Sequence, residues 1–105
     1  MMNYSRYIVP SMKAELIHHT KKVKPDGETI EVKIWKVPVS EDKPFGVKYS
    51  LVFIRGGKRI IGYDNAERKG DHKHIGDKVL PYKFTTVKKL FKDFYSDIEE
   101  VQDES

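Results

Sequence analysis

Apolar residues recur near the end of the chain at Val87, Leu90, Phe91, Phe94, Ile98 and Val101, the spacing of one face of a helix. The pattern predicts an amphipathic helix over 85–101, capped by Thr85 or Thr86. Upstream the period falls to two. Ile30, Val32 and Ile34 alternate with Glu31, Lys33 and Trp35, so the strand from Thr29 to Val37 has one apolar side and one mostly wet side. A strand from Lys13 to about Val23 precedes it, and Lys24-Pro25-Asp26-Gly27 supplies the turn of a hairpin. A second hairpin follows from Lys48–Ile54 and Arg59–Asp64, joined through Gly56-Gly57. From Leu51 to Ile54 the first of these runs is apolar on both faces, as a central strand is. Lys78–Phe84 reads as a short fifth strand, which Pro81 confines to an edge or a strand end.

The connections are less regular. Pro38, Pro44 and Gly46 make 38–47 a loop long enough to act as a lid. Residues 1–12 hold Tyr4, Tyr7 and Ile8 at helical spacing but are stopped by Pro10, which predicts an arm or a short docked turn. The expected architecture is α+β in a single domain over 1–105. An antiparallel sheet of four to five strands, two consecutive hairpins over 13–84, carries a motif loop at 64–77. The helix covers one face of the sheet, and 102–105 form a frayed acidic tail.

Composition narrows the function. With 105 residues, 38% of them hydrophobic, there is material for one modest core. The absence of cysteine excludes disulfides, thiol catalysis and thiolate-bound zinc. The longest apolar run is far too short for a membrane span, and Met1-Met2-Asn3-Tyr4 lacks the basic start of a secretory signal, so a cytoplasmic location is expected. Charge is unevenly placed: residues 1–92 hold all 20 Lys and Arg and 10 of the 16 acidic residues, a charge of +10, whereas the last 13 residues carry −6. A basic body favours a polyanion such as nucleic acid through counterion release, although a merely soluble, lysine-rich surface has the same composition.

Candidate chemistry is concentrated between Gly62 and Tyr82. His72 and His74 stand at i and i+2, bracketed by Gly70 and Gly76; if extended, they point the same way, with Cα atoms ~6.6 Å apart. Three readings fit. The pair can act as general base and general acid on a phosphodiester, with Arg68, Lys69 and Lys73 stabilising the phosphoryl charge. It can hold a metal completed by Asp64 or Asp71. Or the loop is polar, solvated and chemically inert. His18 and His19 are adjacent, so in a strand they face opposite sides and cannot act together. Tyr63 and Tyr82 can stack bases, and Arg55, Lys58 and Arg59 add charge at a turn; Trp35 reads as a packing residue.

Several blocks, Lys13-Ala-Glu-Leu-Ile-His-His, Val32-Lys-Ile-Trp-Lys-Val-Pro38, Lys48-Tyr-Ser-Leu-Val-Phe-Ile, Gly62-Tyr-Asp-Asn and Gly70-Asp-His-Lys-His-Ile-Gly followed by Pro81-Tyr82, together resemble the TumE family of prokaryotic toxins. The similarity runs from residue 13 to about 98. It implies a small cytosolic toxin of a toxin–antitoxin operon, partnered by a helix-turn-helix antitoxin; it brings no catalytic residues with it. Joined to the motif, it leads to an expected toxin acting on RNA, a metal-independent endoribonuclease without cofactor. His72 and His74 would be catalytic with Asp64, Lys69 and Tyr82 in support, and Arg55, Lys58, Arg59, Arg68, Lys73 and Tyr63 would bind the nucleic acid. A non-catalytic nucleic-acid-binding module and a metal-dependent nuclease or phosphotransferase are the alternatives. The sequence leaves the oligomeric state open, a homodimer included.

Overall fold

A computed structural model of the chain describes residues 14–66 and 68–103. The arm expected over 1–12, the expected strand start at Lys13 and the last two tail residues, 104 and 105, lie outside the described residues. The chain forms strands β1 (Glu15–Val23), β2 (Thr29–Lys36), β3 (Val47–Arg55), β4 (Lys58–Asp64), β5 (His72–Ile75) and β6 (Lys78–Pro81), then helix α1 (Val87–Asp103). The strands pair in sequence order, each antiparallel to the next.

The class is α+β, as the periodicities predict, but the sheet has six strands rather than four to five, and three hairpins rather than two. The difference lies in the motif region, where His72–Ile75 is strand and not loop. Its turn to β6 uses Gly76 at φ 59°, a backbone conformation that costs glycine no Cβ clash. β6 is an edge strand and ends at Pro81, whose missing N–H is harmless there.

One face of the sheet is core. Val32, Leu51 and Tyr63 lie in one cross-strand row and Phe53 with Ile61 in the next, all buried under Leu90, Phe94 and Ile98 of α1. Burial of such side chains contributes about 1.5–3 kcal/mol each. The helix starts where Thr86 accepts the Lys89 amide on its hydroxyl at 3.1 Å, satisfying one of the first-turn donors. It continues to Asp103, past the expected end at 101.

Asp93 and Asp97 tie this helix to the sheet. Asp97 accepts bonds from the Tyr63 hydroxyl and from Lys73 Nζ, the latter at 3.2 Å; Asp93 accepts from the Tyr82 hydroxyl at 2.7 Å and from Lys89 at 2.8 Å. Burial, and then these carboxylates, push the Tyr63 and Tyr82 hydroxyls well above the ordinary phenol range. Two members of the acidic C-terminal segment are therefore fastening residues between helix and sheet.

The loop between β2 and β3 touches a neighbouring connection. Asp42 bonds Lys43 Nζ at 2.5 Å and accepts the Arg68 amide at 3.1 Å, which joins this loop to the β4–β5 connection. Arg68 itself sits at φ 63°, an uncommon conformation for a residue with a Cβ. That contact is its brace.

Candidate functional site

The second face of the sheet carries no helix among the described residues, and the strand register arranges its polar side chains in rows. Ser50, Asp64 and His72 form one row across β3, β4 and β5; Val52, Gly62 and His74 form the next. His72 and His74 are two residues apart, so the pleat brings both imidazoles to this face, ring centroids 5.0 Å apart. Lys73, between them, goes to the other side and meets Asp97.

A β-bulge delivers one further charge. The β3–β4 register shifts between Phe53 and Ile54, so that Phe53 faces Ile61 while Ile54 faces Arg59. The odd-numbered Ile61 and Tyr63 point into the core, yet the extra residue turns Arg59 out to the open face. Its side chain then lies across Gly62, the residue opposite His74. A pocket of about 360 Å³ results, whose lining includes Trp35, Lys48, Ser50, Arg59, Lys69 and the Asp64–His72–His74 group.

Within it, His72 Nε2 stands 3.2 Å from Asp64 Oδ1, and its Nδ1 donates to the Gly70 carbonyl at 3.1 Å. Both ring nitrogens of His72 thus lie beside oxygen acceptors, which fix the orientation of the ring. His74 is different in character. Its burial, with the positive charge of Arg59 and the neighbouring His72, lowers its pKa below the ordinary imidazole value, which favours the neutral base. One ligand atom from each of Asp64, His72 and His74 falls within 4.8 Å of the others, so a small cation fits the group as well.

Of the residues expected at the site, His72, His74, Asp64, Lys69 and Arg59 are brought together. Tyr82, Tyr63 and Lys73 are not: they lie on the helix side, engaged with Asp93 and Asp97, and the sheet separates them from the imidazoles. Arg55 is drawn to Glu28 at 3.5 Å and over the Phe53 ring, at the far end of β3. Lys58 lines a separate groove with Ile60, Gly76 and Asp77, which Arg59 also borders. Arg68 lies in the loop just before Lys69. Asp71, the other carboxylate considered for a metal, accepts the Tyr49 hydroxyl at 2.7 Å and the Phe84 amide at 3.1 Å instead.

Trp35 and Lys48 join the pocket although the motif region does not contain them. They are directly paired across β2 and β3, with Lys48 Nζ 5.5 Å from the indole centroid. The signal in the sequence was the alternation itself, which puts Trp35 on the wet side of β2. Asn65 lies within the motif region but serves the frame of the site: buried, it accepts the Tyr49 amide and donates to the Val47 carbonyl, both at 2.9 Å, and so fixes the chain just after Asp64.

No helix among the described residues is long and apolar enough to cross a membrane. No curated protein and no solved structure matches the chain. A family model described as Toxin TumE matches residues 9–102, and the chain thus belongs to the TumE toxin family.

Proposed function

We propose that this toxin is a metal-independent endoribonuclease whose acid–base pair is His74 and His72. The observation that carries the reading is the contrast between two adjacent imidazoles in one cationic pocket. His74 is held toward its neutral form, and His72 is set between the Asp64 carboxylate and the Gly70 carbonyl, which orient its ring beside that base. His74 takes the proton of a ribose 2′-hydroxyl, whose oxygen attacks the neighbouring phosphorus; His72 protonates the departing 5′-oxygen, leaving a 2′,3′-cyclic phosphate and a 5′-hydroxyl. Asp64 holds the His72 ring until the leaving oxygen competes for its Nε2 proton. Arg59, Lys48 and Lys69 attract the phosphate and the charge that develops on it. Trp35 offers an aromatic wall for an unpaired base, which favours single-stranded RNA.

The family gives the toxin a cognate antitoxin as its partner, and action on RNA supports a cytoplasmic location. A second reading, a metal-dependent phosphodiesterase, draws support from the convergence of Asp64, His72 and His74. Labelled RNA incubated with purified protein in the presence and absence of a chelator separates the two. Cleavage that persists in chelator supports the acid–base pair; cleavage that stops in chelator and returns with metal replaces it with the second reading. Binding without cleavage under either condition leaves a nucleic-acid-binding module.

A further inference from the structure

We infer that Asp64, His72 and His74 form a binding site for a divalent transition ion of the zinc type, and that filling it silences RNA cleavage. The inhibitory part rests on the metal-independent reading above; the site itself does not.

Three features of the geometry support a coordination site. Ligand atoms from all three residues lie within 4.8 Å of one another, and the His72–Asp64 pair is already at 3.2 Å, close to the separation of two ligands on one tetrahedral ion. The hydrogen bond from His72 Nδ1 to the Gly70 carbonyl fixes which nitrogen remains for the metal, because it leaves Nε2 aimed at Asp64. Metal-bound histidines ordinarily have their second nitrogen engaged in this way. The three residues are partly rather than fully buried, so an ion has access and a fourth position can be taken by water.

The donor set also selects the ion. Two imidazoles and one carboxylate suit zinc, nickel, copper or cobalt, whereas magnesium and calcium require a shell of oxygens. Arg59 and Lys69 line the same pocket and oppose a cation, which sets an upper limit on affinity but does not remove the ligands. Inhibition follows from simple exclusion. The lone pair of His74 that would accept the 2′-hydroxyl proton, and the Nε2 of His72 that would deliver one, are the atoms the ion occupies.

The other imidazoles of the chain provide the control. His19 is bonded to Glu31 at 2.8 Å, and His18 packs against Phe91 while bonded to Thr20. Neither belongs to a convergent group of three ligands among the described residues.

Titration calorimetry with zinc chloride, and visible absorption with cobalt chloride, test the site without reference to activity. The expected result is one ion per chain and a cobalt ligand-field spectrum. Affinity should fall at least roughly tenfold in His72→Ala, His74→Ala and Asp64→Asn and stay unchanged in His19→Ala. Equal binding by all four variants, or none by the wild type, overturns the site. Zinc at saturation should reduce cleavage of labelled RNA at least roughly tenfold, with recovery on adding chelator. Activation by zinc would overturn both the inhibition and the metal-independent reading while leaving the site in place. If no RNA is cleaved under any condition, the ribonuclease reading fails, and the binding data still decide the site.

Discussion

The side chain of Arg59 lies across Gly62, with its Cδ 2.9 Å from the position a Cβ on that glycine would take. A strand glycine ordinarily weakens a sheet, and here its bareness is what lets the guanidinium reach toward His74. Gly62→Ala should therefore displace Arg59 with little harm to the fold. We expect cleavage to fall about as far as in Arg59→Ala, on the order of 10²-fold for one lost charge-stabilising group, with a melting temperature within a few degrees of wild type. Full activity in Gly62→Ala would remove Arg59 from the mechanism.

The lowered pKa of His74 has a definite sign in the pH profile. A base works when deprotonated, so the acid limb of kcat/KM should fall below the ordinary imidazole value of 6.5. Burial is the first cause and Arg59 the second, and Arg59→Ala should move the limb back upward in pH. A limb at or above the ordinary value in the wild type, unmoved by Arg59→Ala, would contradict the assignment of His74 as base.

Trp35 is the only tryptophan of the chain, which makes its fluorescence a direct report on the pocket. Adding a single-stranded oligonucleotide to the inactive His72→Ala, His74→Ala double variant should quench it, and an abasic oligonucleotide should quench it less. Binding should weaken steeply with salt, log affinity falling by about 0.7 per phosphate contact per log unit of salt. Trp35→Ala should cost about 1–3 kcal/mol of binding if a base stacks there. An affinity flat across the salt titration would sink the nucleic-acid reading.

Much of the fold is readable in the sequence because its periods are strong. The spacing of Leu90, Phe94 and Ile98 defines the core face of α1, and the alternation around Val32 defines that of β2. β5 hides because His72-Lys73-His74-Ile75 has neither β-branched richness nor an apolar alternation, and pairing with β4 and β6 makes it a strand. The pleat decides the site residues in the same way. Tyr63, Lys73 and Tyr82 are close to the histidines in sequence, but the alternation that separates His18 from His19 also separates Lys73 from His72 and His74. Arg59 is the opposite case, since parity alone places it in the core and only the bulge beside Ile54 brings it out.

The fastening residues on the helix side should matter for stability and not for chemistry. Asp97→Ala strands the hydroxyl of the buried Tyr63 and the partly buried Lys73 ammonium, and should cost about 1–3 kcal/mol in urea unfolding. Phe94→Ala, fully buried in the core, should cost about 3–5 kcal/mol. At temperatures where both variants remain folded, RNA cleavage per folded molecule should match wild type. A loss of cleavage in folded Asp97→Ala would mean that the helix side of the sheet takes part in the reaction.

In the proposed reaction the 2′-hydroxyl is the nucleophile, and the two imidazoles move its proton and that of the leaving group. The most direct measurement is cleavage, in chelator, of an RNA and of the same RNA with 2′-deoxyribose at the cleaved nucleotide, with the product ends identified by mass. Cleavage of the RNA alone is predicted, with 2′,3′-cyclic phosphate ends, and His72→Ala and His74→Ala should each reduce it at least roughly 10²-fold. Equal cleavage of the deoxy-substituted strand, or undiminished cleavage by either histidine variant, would contradict it.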